Sequence, residues 1–413
     1  MHRGYGGQSR ILLVAHGSFI CRVKVLILHQ HFNTPGEGGA LRSYYLAKAM
    51  VDQGLQPIVI TGRGQPPAKT VTLEGIEIHY VPVAYDNKFG FWKRAISFLQ
   101  YVWQSTRLAG SFKDVKICYA ISVPLTVGLA ASGIKFLYRI PFIFEVGDLW
   151  PDAPIQMGFV RSYFLKSLLY GLERFIYSDA QSIVALSDKI KSEIEKKAKH
   201  KIVHVIPNMA DTDFYQKEGK DPVLEKKFNT EGKFVVSYIG AIGLANGLDY
   251  FMECARASQR VGLRVHFILC GEGAMVDSLK RIAQQYRLQN FSLIPFQNRD
   301  GVKEVMNVTD AAFICYKPLP ILETGSPNKY FDALASGKLI LTNFGGWIRD
   351  EIENERCGCY INQKQPSEFV TAIQPFIESH KLLAEYQQAS RRLAEAKYTR
   401  RILSQKFAAL FTA

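Results

Sequence analysis

Cysteine is scarce in this sequence: seven residues, odd in number and scattered, of which only Cys357 and Cys359 stand close together. No Cys-x-x-Cys pair and no Cys/His cluster has zinc spacing, so neither a structural metal nor a disulfide framework is expected and the thiols read as reduced. No apolar stretch reaches the roughly 18–20 residues that cross a bilayer. No G-x-G-x-x-G dinucleotide fingerprint follows a predicted strand, and no internal repeat is visible. Acid is in deficit, with 37 Asp and Glu against 51 Lys and Arg, which leaves a net charge of +14. That balance favours an anionic partner (nucleic acid, an anionic membrane surface or a phosphorylated substrate) without choosing among them. With 47% hydrophobic and 21% charged residues in 413, the chain reads as globular and long enough for two cores. Residues 1–22 hold a short apolar run, Ile11–Ala15, behind basic residues, and read as a dispensable or mis-assigned leader.

What is present is a repeated alternation of aliphatic strands and amphipathic helices. Strands are expected at 23–28, 56–60, 77–81, 115–119, 141–145, 182–186 and 201–206, and again, after a polar stretch, at 234–238, 265–269, 291–294, 311–315 and 339–341. Strand-helix-strand repeats of this kind mean parallel sheets covered on both faces. The fold class is therefore α/β, with a first domain over 23–206, a linker over 207–230 and a second domain over 231–395.

The stretch from Glu323 to Thr342 reads as a loop, a helix and a buried strand. Gly325 to Asn328 form the turn, Tyr330, Phe331, Leu334 and Ala335 recur at helical spacing, and Gly337 ends the helix. A helix start preceded by small residues gathers backbone N–H groups at the positive end of a dipole, which suits a phosphate. Lys329 adds a cation there, and Asp332, one turn on, suits sugar hydroxyls. This run resembles the nucleotide-sugar clamp of retaining glycosyltransferases of family 4, with Asp332 in the second acidic position and Ala333-Leu-Ala-Ser-Gly337 behind it. Glu323 stands one place off the first acidic position, which Thr324 occupies. The resemblance implies the GT-B fold, two Rossmann-like domains facing a cleft, with a last helix, about 396–413, packing back on the first domain.

Other segments extend the resemblance. Gly38 and Gly39, in Pro35-Gly-Glu-Gly-Gly-Ala-Leu-Arg42, resemble the family's first-domain donor loop; Arg42 is either part of that loop or an ordinary salt bridge. The run Tyr238 to Asp249 resembles the equivalent loop of the second domain, in a subgroup that adds N-acetylated, often 6-deoxy, aminosugars to bacterial surface polysaccharides such as O-antigen and capsule. It has Ala241 and Asn246 where basic residues are usual, which puts diphosphate neutralisation on Lys329, helix N-termini and the N–H groups of Gly240 and Gly243. Glu272, in Cys270-Gly-Glu-Gly273, matches the turn near the nucleotide, and Pro295–Asn298 the loop near the base. Phe144 to Asp152 resembles the subgroup's Asp-Leu-Trp-Pro signature. Its Asp148 is either the catalytic carboxylate at the reacting carbon or a helix N-cap or buried salt bridge. Asp211 and Asp213 imitate a metal motif but fall in the linker, so no metal and no cofactor is expected.

The segment 89–103 is unusually aromatic, with Trp92, Trp103, Lys93 and Arg94; it suits either a membrane interface or packing on the first domain. The segment 161–170 has a similar aromatic and basic character but reads rather as core. Together these readings imply transfer of a (6-deoxy) N-acetylhexosamine from a UDP-sugar to a polyprenyl-diphosphate-linked saccharide, by a cytoplasmic enzyme peripheral to the inner face of the membrane. Alternatives are a UDP-sugar 2-epimerase on the same fold, or a non-enzymatic basic protein that binds membrane or nucleic acid.

Overall fold

The structure, a computed structural model, describes residues 23–37, 39, 41–63, 69–85 and 89–411. The expected leader, 1–22, and Gly38 of the first-domain loop lie outside the described residues.

Two sheets form, as the aliphatic runs dictate. The first takes β1 (Lys24–Leu28), β2 (Gln56–Arg63), β3 (Lys69–Leu73), β4 (Ile76–Pro82), β5 (Val115–Ile121), β6 (Phe142–Val146), β7 (Ser182–Ala185) and β8 (Val203–Val205) in the order β3-β4-β2-β1-β5-β6-β7-β8. The second takes β9 (Phe234–Ile239), β10 (Val265–Cys270), β11 (Phe291–Ile294), β12 (Ala311–Ile314), β13 (Leu339–Thr342) and β14 (Gly358–Tyr360) in the order β11-β10-β9-β12-β13-β14. All pairings are parallel except β3 with β4. β10 is buried at every residue, as a strand covered on both faces must be. β3 is not among the expected strands. Its mostly polar, exposed Lys69-Thr-Val-Thr-Leu73 is an edge strand, joined to β4 by a tight turn with both Glu74 and Gly75 at positive φ.

The span read as a linker holds a seven-residue helix, Pro222–Phe228, capped by Asp221, which accepts from the Val223 N–H at 2.8 Å. The chain crosses between the sheets twice, and the crossings touch: the Ala210 N–H donates to the Tyr398 carbonyl at 2.7 Å. Beyond it the helix Arg400–Ala408 seats Phe407 against Tyr119 of the first sheet, ring centroids 4.8 Å apart. Asp211 fastens this junction by pairing with Arg299 and, at 2.6 Å, with Arg400. Among the described residues no cluster of His, Cys, Asp and Glu could hold a metal ion.

The helix Phe91–Ala109 packs through its inner face. Tyr101 is fully buried and donates to the Ile60 carbonyl at 2.7 Å. Trp92 and Trp103 lie outside, 77% and 62% exposed, with Ile96 and Leu99 between them. The segment 161–170 contradicts its reading as core. Tyr163, Phe164 and Leu168, on the helix Tyr163–Asp179, face solvent because that helix buries the opposite side, around Glu173, Ile176 and Tyr177. Among the described residues no helix is long and apolar enough to cross a membrane.

Candidate functional site

In open parallel sheets, ligands bind at the carboxyl ends of the strands. At that end of the second sheet the turn after β9 and the turn after β10 are laced together. The Gly240 N–H donates to the Cys270 carbonyl at 2.9 Å and the Ile242 N–H to the Glu272 carbonyl at 2.7 Å. A Cβ on Gly271 would come within 2.0 Å of the Gly240 carbonyl oxygen, so only glycine permits this approach. The lacing corrects one expectation. The Gly240 N–H is committed to this turn and the Gly243 N–H to the Asn246 side chain at 3.1 Å, so neither is a free donor for a diphosphate. Gly240 instead makes room, since a Cβ there would meet Lys329 Cε at 3.3 Å.

Lys329 sits in the first turn of the helix Asn328–Ala335, whose opposite face buries Tyr330, Phe331 and Leu334. Its Nζ donates to the Tyr238 hydroxyl at 2.8 Å and lies 4.4 Å and 5.3 Å from the ring centroids of Tyr238 and Tyr316. No carboxylate among the described residues pairs with it, and burial lowers its pKa to about 8. Asp332 follows one turn later with no hydrogen bond to its carboxylate among the described residues. Burial raises its pKa to about 7, against the pull of Arg299. Both side chains line a small cavity of about 20 Å³ with Ser237 and Ile314. A lysine without an acid and an acid without a donor, three residues apart, form a site that offers a cation and a hydroxyl acceptor to a ligand.

Tyr316 is fixed by Asn343, which accepts from its N–H at 2.9 Å and donates to its carbonyl at 3.0 Å. Asp148 of the first domain lies close enough that its charge raises the Tyr316 pKa. The Asp148 side chain reaches solvent, yet protein crowds it and desolvation raises its own pKa. Asp148 thus comes to the same cleft as Lys329 and Asp332. Asn328 begins the helix, exposed, and Gly325 accepts from Trp347 Nε1 at 2.8 Å. The half-buried Glu323 has its carboxylate beside Gly345, whose added Cβ would stand 3.3 Å from it. Glu272 is exposed in the turn after β10. A first-domain group and a linker group hold the loop ahead of Asn328: Ser187 donates to the Thr324 carbonyl at 2.6 Å and Asn208 to the Ser326 carbonyl at 2.5 Å.

Arg42 takes the structural role. It forks onto Glu145 at 2.9 and 3.0 Å and donates to the Ile206 carbonyl at 2.8 Å. Gly39 keeps a positive φ of 80° in the loop after β1. Sequence reasoning missed His29 and His31 at the end of β1. Burial lowers their pKa values to about 3 and about 4, so both are neutral imidazoles, His29 bonded to Ser43 at 2.8 Å and His31 tilted against Tyr85 with ring centroids 4.3 Å apart. Their place right after a buried strand was the available signal. Tyr238 and Tyr316 carried none, since aromatic residues at strand ends are ordinary core.

Comparison with known proteins adds the following. Residues 220–393 match the family model described as Glycosyl transferases group 1, and residues 37–214 match Glycosyltransferase Family 4. The chain is 19% identical over 234 residues to an alpha-D-kanosaminyltransferase of Streptomyces kanamyceticus, covering 55% of this chain and 59% of that protein. It is 25% identical over 236 residues to the putative teichuronic acid biosynthesis glycosyltransferase TuaH of Bacillus subtilis, covering 56% and 57%. These matches span less than two thirds of either relative. Anabaena HepE, solved in complex with UDP and glucose, superposes with a TM-score of 0.69 at 16% identity, covering 95% of this chain and all of that one. At that identity the likeness is one of fold, two α/β domains in the GT-B arrangement.

Proposed function

The chain belongs to the group 1 and family 4 glycosyltransferases of the GT-B fold, whose two models divide it between them, and we propose that it transfers a sugar from a UDP-sugar with retention at the anomeric carbon and without a metal ion. The observation that carries this reading is the pair Lys329 and Asp332, two half-buried ionisable groups on one helical turn without ionic partners among the described residues, at the carboxyl end of the second sheet. The Lys329 ammonium neutralises the donor diphosphate, and Asp332 accepts hydrogen bonds from the ribose hydroxyls. Asp148 stands on the facing domain, where a carboxylate stabilises positive charge developing at the anomeric carbon or orients the acceptor hydroxyl. Glu323, Gly325 and Asn328 form the wall beside the donor sugar, with Glu323 in place of the displaced first acid.

The donor we infer is an N-acetylhexosamine or its 6-deoxy form. Support comes from the Tyr238–Asp249 loop, and a relative named as an aminosugar transferase points the same way. The acceptor we infer is a polyprenyl-diphosphate-linked saccharide at the inner face of a membrane. The exposed Trp92 and Trp103 beside Lys93 and Arg94 support that placement. Both family matches are to transferases, and neither favours a 2-epimerase. The test is release of sugar from a panel of UDP-sugars, with EDTA present and absent. Turnover confined to an N-acetylhexosamine donor and indifferent to EDTA is expected. Loss on chelation with recovery on Mg²⁺ would overturn the metal-free mechanism, and turnover of no UDP-sugar would overturn the donor.

A further inference from the structure

The helix Tyr163–Asp179 carries an apolar surface that the cleft does not use. Tyr163, Phe164 and Leu168 are 80%, 84% and 69% exposed, and Phe159, just ahead of the helix, is 60% exposed. Four large apolar side chains in ten residues make a patch, where a lone exposed leucine would need no explanation. The charge along this segment has one sign. Between Asp152 and Glu173 the sequence contains Arg161 and Lys166 and no acid. The two flanking acids are committed to Lys197, and Glu173 is fully buried.

The position of the patch follows from topology. This helix and the helix Phe91–Ala109 both pack on the helix Thr126–Tyr138, on one face of the first sheet. In a parallel sheet each such helix begins near the carboxyl end of the strand before it, which is the cleft side. Phe159, Tyr163 and Phe164 therefore sit at the cleft end of one helix, as Trp92 does at the cleft end of the other. Phe136 and Leu137, also exposed, close the helix between them at the opposite rim.

We propose that the Phe159–Leu168 surface is a second membrane foot, which lies with the Trp92 helix on an anionic leaflet and so holds the mouth of the cleft along the bilayer. The proposal rests on the reading that the acceptor is lipid-linked. Charge complementarity selects the occupant: aromatic side chains interleaved with basic ones, with no unpaired acid between, match the headgroup zone of an anionic leaflet. One amphipathic helix leaves a bound protein free to roll about its axis. Two feet on separate helices fix a plane, and with it the direction in which the cleft opens.

The experiment is co-sedimentation of the full chain with phosphatidylglycerol-containing and with pure phosphatidylcholine vesicles, beside UDP calorimetry, for wild type, Phe164→Ser/Leu168→Ser and Trp92→Ser/Trp103→Ser. These side chains are exposed, so the fold is expected to survive, and unchanged UDP affinity verifies it. Each pair should weaken binding to anionic vesicles about tenfold, the four changes together should abolish it, and phosphatidylcholine vesicles should bind weakly throughout. Wild-type affinity for anionic vesicles in Phe164→Ser/Leu168→Ser overturns the second foot. So does concentration-dependent self-association of wild type that this variant loses, which makes the patch a contact between copies. Vesicle binding as expected without transfer to a lipid-linked saccharide leaves the foot standing and removes the acceptor reading.

Discussion

The two walls of the cleft treat buried charge in opposite ways. In the first domain the deepest charges are paired: Arg42, 9% exposed, forks onto Glu145, 1% exposed, and Lys197 holds Glu173 and Asp152. In the second domain Lys329 and Asp332 have no ion-pair partner among the described residues, and their pKa values are driven toward neutrality, to about 8 and about 7. A paired charge in a protein interior is part of the architecture; an unpaired one raises the free energy of the empty protein until a ligand completes it. Side chains of the same kinds thus read as scaffold on one wall and as binding site on the other.

Breaking one half of the Arg42–Glu145 pair should have the largest effect on stability. Arg42→Ala leaves Glu145 buried and uncompensated, at a cost of about 3–5 kcal/mol, read as a lowered urea midpoint. The matching change on the other wall, Asp332→Ala, removes a group with no partner, so the urea midpoint should hold or rise while UDP binding weakens. Lys329→Ala should likewise leave stability nearly unchanged and cost about 1.5–3 kcal/mol of UDP affinity.

The contrast has a pH signature. Lys329 loses its proton as pH rises through about 8, and above that UDP must bring a proton in with it, so affinity falls. Asp332 gains a proton as pH falls through about 7 and can no longer accept from two hydroxyls as a carboxylate, so affinity falls on that side too. UDP affinity should therefore peak between about pH 7 and pH 8, and Lys329→Arg should remove the alkaline limb. The smallest expected effect is that of Tyr238→Phe, which deletes the hydroxyl bonded to Lys329 Nζ at 2.8 Å but keeps the ring. A loss of about 0.5–1.5 kcal/mol in UDP affinity is expected, with the alkaline limb shifted.

The alternation of strands was legible because aliphatic runs bounded by turns leave few other folds open, and the helix carrying Lys329 and Asp332 was legible from its Gly and Pro punctuation. β3 was not, since an exposed edge strand needs no apolar run and its signal was only the Glu74-Gly75 turn. The outward aromatics of the helix Tyr163–Asp179 read as core from sequence. Periodicity reports that a face is apolar, and only the sheet beneath decides which face is covered. Arg42 stayed ambiguous for the same reason, because Glu145 stands 103 positions away in sequence. The commitment of the Gly240 N–H to Cys270 and of the Gly243 N–H to Asn246 was invisible, because glycine advertises freedom of φ and says nothing of where its N–H points.

The most direct measurement is titration calorimetry of UDP into wild type, Lys329→Ala, Asp332→Ala and Arg42→Lys, each with its urea midpoint. UDP affinity should fall at least tenfold in the first two variants with the midpoints held or raised, and the midpoint should fall in Arg42→Lys with UDP affinity held. Unchanged UDP affinity in both Lys329→Ala and Asp332→Ala, with the fold intact, would contradict the assignment of the unpaired charges to the donor.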